Sequence, residues 1–139
     1  MEKEYKLAEQ YHLQGNNCIE SVLKTCNDTM NLQLPDVAIR MASGMGGGIG
    51  RVCGALSGAC LVIGALVGRL IPDEKPLPEV YKYTSEFHDR FKEHFGATCC
   101  RALNTLSFGT PEYRKHCIKI TATAADMVSD FVAEKGLLK

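Results

Sequence analysis

The run Gly44-Met45-Gly46-Gly47-Gly48-Ile49-Gly50-Arg51-Val52-Cys53-Gly54-Ala55-Leu56-Ser57-Gly58 is the strongest constraint on how this chain folds. Glycine loses more backbone freedom on ordering than any other residue, so a segment this rich in it is held in place only where turns or close backbone approach require it. The stretch from Val52 to Gly68 is uncharged for 17 residues and bracketed by Arg51 and Arg69. A membrane span needs about 20 predominantly apolar residues. Four glycines, a serine and two cysteines dilute this one, and arginine at both ends gives no orientation signal. It therefore reads as a buried helix from Arg51 to about Leu70, closed before Pro72, with Cys53 in its first turn. Gly50, Gly54 and Gly58 are spaced by four, as are Gly64 and Gly68. Each interior glycine costs a helix roughly 1 kcal/mol relative to alanine, so these faces are expected to pack closely on neighbours.

Elsewhere apolar residues recur at intervals of three and four, which predicts an all-α fold: a compact helical bundle of five to seven helices around the glycine-rich one. A first helix runs from Lys3 to Leu13. Asn17 with Glu20 three residues on forms a capping box for a second, whose inner face carries Cys18, Ile19, Val22, Leu23 and Cys26. Pro35 suits the first position of a short third helix that carries Val37, Ala38, Ile39 and Met41 before the glycine run ends it. After the proline-rich connection Pro72 to Pro78, an aromatic stripe (Val80, Tyr83, Phe87, Phe91, Phe95) marks a long helix ended by Gly96. Thr98 caps a short helix holding Cys99, Cys100, Ala102, Leu103 and Leu106. Thr110 and Pro111 open the last, with Tyr113, Cys117, Ile120, Ala124, Val128 and Phe131 inward. A length of 139 residues suits one domain spanning 1–139.

Lys plus Arg and Asp plus Glu both number 16 and no basic run stands out, so nucleic acid is not an expected partner. The charged N-terminus shows neither secretory nor transit pattern, and a cytoplasmic location is expected. Seven cysteines there make a structural disulfide framework improbable and leave metal binding, redox chemistry or inert burial. No pair has Cys-x-x-Cys spacing, so any shared site is assembled by the fold. Cys18, Cys53 and Cys100 each fall in an opening helical turn, where free N–H groups and the helix dipole favour a thiolate; Cys117 lies on the inner face of the last helix. The glycine run meets neither dinucleotide nor Walker spacing. His88, His94 and His116 read as surface residues, and Asp73-Glu74 as solvent-facing charges.

The quartet Cys18, Cys53-Gly54-Ala55-Leu56-Ser57-Gly58, Cys100 within Phe95-Gly96-Ala97-Thr98-Cys99-Cys100-Arg101-Ala102-Leu103, and Cys117 resembles the C_GCAxxG_C_C family of redox-active proteins, with four shared cysteines and a CGAxxG element. Cys100 rather than Cys99 is matched on its distance from Phe95-Gly96 and on Arg101. Cys26, Cys60 and Cys99 read as core or spare thiols. The resemblance implies a redox role, and some members sit beside transporter genes, which makes a transporter a candidate partner.

Three chemistries follow for Cys18, Cys53, Cys100 and Cys117. The first expectation is an iron–sulfur or other metal centre for electron transfer, with Gly46, Gly47, Gly48, Gly50 and Gly54 lending backbone N–H groups and close approach. The second is a thiol/disulfide couple with no cofactor, Cys53 attacking and another of the four resolving. The third is a zinc-stabilised helical interaction module. The residues name no electron donor or acceptor, and the glycine faces serve packing within one chain or in a homo-oligomer equally well.

Overall fold

A computed structural model of the chain describes residues 2–47 and 51–138. Seven helices occur among the described residues: α1 (Glu2–Leu13), α2 (Cys18–Met30), α3 (Asp36–Ser43), α4 (Gly54–Val67), α5 (Leu77–Phe95), α6 (Cys100–Leu103) and α7 (Pro111–Glu134). The only β pairing among them is an isolated antiparallel bridge between Val52 and Cys99. The fold is all-α, as the periodicity requires.

Local signals explain most helix ends. The Asn17 side chain accepts from the Glu20 N–H (3.0 Å) while the Glu20 carboxylate accepts from the Asn17 N–H (2.9 Å), closing the capping box that starts α2. The Thr110 hydroxyl accepts from the Tyr113 N–H (3.2 Å) and starts α7. Gly96 takes a left-handed conformation (φ 83°) and stops α5.

The glycine-rich helix is shorter than the Arg51–Leu70 span expected. Arg51 is left-handed (φ 66°) and its carbonyl accepts from the Cys100 N–H (2.8 Å), while the Cys53 N–H is given to the Thr98 carbonyl (2.8 Å). These cross-chain bonds hold residues 51–53 out of the helix and make Cys53 its N-cap. At 14 residues α4 is too short for a membrane span, and no described helix is long and apolar enough to cross one.

The core is built where α2, α4 and α7 pack on one another, with α1 against α7 and α2, α5 against α4 and α7, and α3 against α2. Ile19, Val22, Leu56, Val62, Ile63, Val128 and Val132 are fully buried, and Phe87 meets Phe131 edge-on at 5.5 Å. The glycine-rich α4 is central, packed against α2, α5 and α7. The short helix α3 is largely exposed: Ala42 is its buried residue, whereas Met41 is 75 % and Val37 48 % exposed.

The two glycine pairs differ. A Cβ on Gly58 would lie 3.1 Å from Val22 Cβ and 3.4 Å from Ile19 Cγ1, so α2 approaches α4 across this position. A Cβ on Gly64 would meet nothing within 4 Å, and one on Gly68 would strike the Gly64 carbonyl oxygen of its own turn at 2.4 Å. The second pair is therefore not an interhelical contact. Gly58→Val is expected to destabilise by about 1–3 kcal/mol through overpacking. Gly64→Ala is expected to stabilise by roughly 0.5–1 kcal/mol through helix propensity. Urea unfolding followed by far-ultraviolet circular dichroism measures both; equal signs would contradict the contact.

Candidate functional site

Four separated cysteines meet at one end of the bundle. Cys18 is the first residue of α2, Cys53 the N-cap of α4, Cys100 the first residue of α6, and Cys117 lies in the second turn of α7. All four line one small internal void of about 10 Å³, together with Leu103, Asn104, Tyr113 and Ile120. Cys99 is not in its lining: it caps α6 and pairs with Val52. Cys26 is fully buried in the core, and Cys60 sits half-buried on α4.

The close approach of α2 to α4 sets the position of Cys18. A Cβ on Gly54 would lie 2.2 Å from Cys18 Sγ and 3.4 Å from the Ile19 nitrogen. The sulfur therefore occupies the space that any side chain at position 54 would take. Of the other candidate glycines, Gly46 lies against the cap of α2, where an added Cβ would stand 2.4 Å from the Asn17 side-chain nitrogen. Asn17 also donates to the Ser43 carbonyl (3.1 Å) and the Ser43 hydroxyl to Glu20 (2.7 Å), so the end of α3 is fastened to the start of α2. Gly47 is left-handed (φ 65°), and its N–H is hydrogen-bonded to Cys18. Gly48 and Gly50 lie outside the described residues.

The four thiols are electrostatically unequal. Cys18 is pulled down to about 6, first by a hydrogen bond from Cys117, opposed by burial and assisted by the N–H groups of Gly47, Ile19 and Cys18 itself. Cys117 moves the opposite way: its thiol proton is held by the Cys18 sulfur and its ionisation is opposed by burial and by the neighbouring negative charge. Cys53 was expected to be the thiolate, and here the structure differs. The N–H groups of Ala55 and Leu56 do reach it, as an N-cap position allows, but burial outweighs them and the nearby Cys18 and Cys100 sulfurs repel a second charge, so its thiol is pushed up to about 12. Cys26 and Cys60 are raised by burial as well.

Tyr113 closes the void on one side. Its hydroxyl contacts Cys100 Sγ at 3.6 Å, its backbone carbonyl accepts from Asn104 Nδ2 at 2.9 Å, and burial with the adjacent sulfurs raises its phenol. Beyond it opens a cleft of about 720 Å³ on which Cys18, Cys100 and Cys117 also border. The end of α1, the start of α2 and the Phe108–Pro111 turn form its other walls.

Among the described residues no group of three or more His, Cys, Asp or Glu side chains is placed to hold a metal ion. The space between the sulfurs is about that of one water molecule. As arranged, the thiols among the described residues do not form a coordination shell.

The sequence reading did not single out His12 or Asn104, both buried, nor the cleft residues Phe108 and Arg114. A signal existed for His12: Glu4, Ala8 and His12 are spaced by four, and all three are buried on one face of α1. Asn104 and Phe108 lie in an irregular connection, where periodicity carries no information. His116 is exposed, as expected, with Nε2 2.9 Å from the Leu103 carbonyl.

The chain matches the C_GCAxxG_C_C family, described as "Putative redox-active protein (C_GCAxxG_C_C)", over residues 16–131. The match covers most of the chain: the protein belongs to this family of redox-active proteins. Comparison with curated proteins and with solved structures finds no match.

Because the Cys18 sulfur occupies the Cβ position of residue 54, Gly54→Ala is expected to keep its helical content and to lose the low-pH thiolate. Thiolate absorbance near 240 nm at pH 7.5 is expected to fall by about one cysteine equivalent, since the ordinary thiol is largely protonated there. An unchanged absorbance in the folded variant would show that the sulfur does not depend on that space.

Proposed function

We propose that the protein is a dithiol–disulfide redox protein in which Cys18 is the nucleophile and Cys117 the resolving thiol. One observation carries this reading: the Cys117 thiol is hydrogen-bonded to the Cys18 sulfur, which also receives backbone N–H groups at the start of α2. A thiolate at neutral pH is the attacking species in thiol–disulfide exchange, and Cys117 lines the same small void as Cys18, which suits the pair to forming an S–S bond of about 2.05 Å. Cys53 and Cys100 complete the sulfur-lined wall, and the crowding of a second charge keeps the ionised state on Cys18. Such a dithiol suits a compartment that keeps thiols reduced, which in this proposal is the cytoplasm.

The pH dependence follows from the signs. Only the thiolate reacts, so Cys18 alkylation by iodoacetamide, located by peptide mass spectrometry, is expected to rise through about pH 6 and to be flat above pH 7. Cys117→Ala removes the largest stabilising contact and is expected to move the midpoint up by about one unit or more. Cys53→Ser is expected to leave it in place. A wild-type midpoint near that of an ordinary thiol, about 8.5, would refute the assignment. Mild oxidation with diamide is expected to yield a Cys18–Cys117 disulfide. Metal and sulfide analysis of anaerobically purified protein supplies the opposing outcome: stoichiometric iron and sulfide, or zinc, lost on substitution of the four cysteines, would replace this reading with a metal centre.

A further inference from the structure

The dithiol borders the cleft of about 720 Å³ described above, within the range of about 300–1,000 Å³ typical of small-molecule sites. Its chemistry is one-sided. Arg114 and Lys115 lie on its wall, and no Asp or Glu occurs among its described lining residues. Leu13 and Phe108, 59 % and 76 % exposed, also border it, and the Phe108 ring lies 5.1 Å from that of Tyr113. Arg114 is fixed, donating from Nη2 to the carbonyls of His12 (3.0 Å) and Leu13 (3.1 Å), so the cation is held at the end of α1 on one side of the cleft.

We propose that this cleft is the substrate site of the dithiol, and that its substrate is a low-molecular-weight disulfide carrying a carboxylate on an apolar body. The proposal rests on the dithiol reading above. The carboxylate faces Arg114 and Lys115, the apolar body lies against Leu13 and Phe108, and the substrate S–S bond meets Cys18. The Cys18 thiolate attacks one substrate sulfur; a Cys18–substrate bond forms as the substrate S–S bond breaks, and the first product leaves as a thiolate that takes a proton from water. The Cys117 sulfur then attacks Cys18 Sγ while its thiol proton passes to the second departing sulfur. The Cys18–Cys117 disulfide forms, the mixed disulfide breaks, and the second product leaves as a thiol. Two electrons pass from protein to substrate, which is the oxidant.

The test compares 3,3′-dithiodipropionate with cystamine, two small disulfides of opposite charge, as oxidants of the fully reduced full-length protein. Formation of the Cys18–Cys117 bond is followed by acid quench and mass spectrometry, each rate being divided by that of the same reagent with free cysteine. The anionic reagent is expected to be favoured by about tenfold or more, and Lys115→Glu, a change at an exposed position, to reduce that ratio several-fold. Equal normalised rates, or a ratio unchanged by Lys115→Glu, would overturn the proposal. Diamide, which carries no charge, separates the two levels: no Cys18–Cys117 bond with diamide overturns the dithiol itself, whereas a bond with diamide and no anionic preference overturns only the substrate assignment.

Discussion

Close backbone contact between α2 and α4 is the constraint on which the rest of the molecule depends. Gly58 lets Val22 and Ile19 approach, and Gly54 leaves room for a sulfur atom where its own side chain would be. Two glycines in one helix cost about 2 kcal/mol of propensity relative to alanine. The return is position: the first residue of α2 is brought against the first turn of α4, and their two helix starts come to share a wall with α6 and α7. The Arg51–Cys100 and Cys53–Thr98 backbone bonds fix the fourth side by joining the start of α4 to the start of α6.

Once the sulfurs share one void, competition between desolvation and hydrogen bonding decides which carries charge. Cys18 and Cys53 are alike in burial, at 7 % and 6 % exposed, and both stand at a helix start. They differ in donors. Cys18 receives a thiol proton from Cys117 and a further N–H from the left-handed Gly47, whereas Cys53 has only the N–H groups of its own helix and faces two other sulfurs. In a space this small the first ionisation opposes the second, so among Cys18, Cys53 and Cys117 the charge lies at Cys18.

Much of this architecture was legible in the chain. The Asn17–Glu20 capping box, the aromatic stripe ending at Gly96 and the Thr110-Pro111 start gave α2, α5 and α7 their places because each is a local signal. The four cysteines that converge were legible too, from their positions at helix starts and their order around the CGAxxG element. The choice among them was not. Helix-start logic treats Cys53 and Cys18 alike, and what separates them is a Cys117 side chain 99 residues away in sequence and the turn at Gly47. The limits of α4 were missed for a related reason: Arg51 gives its carbonyl to Cys100, a long-range bond with no trace in periodicity. The cleft was invisible because its walls come from α1, the start of α2 and the turn before α7.

The central claim is that burial and hydrogen bonding place the charge on Cys18 rather than on Cys53 or Cys117. Cysteine Cβ chemical shifts, followed by NMR in the reduced protein labelled with ¹³C at that carbon, measure it residue by residue. The account requires the Cys18 signal to titrate near pH 6, with Cys53 and Cys26 unmoved until pH 10 or beyond. A Cys53 signal that titrates first, or a Cys18 signal that stays protonated through pH 8, would contradict it.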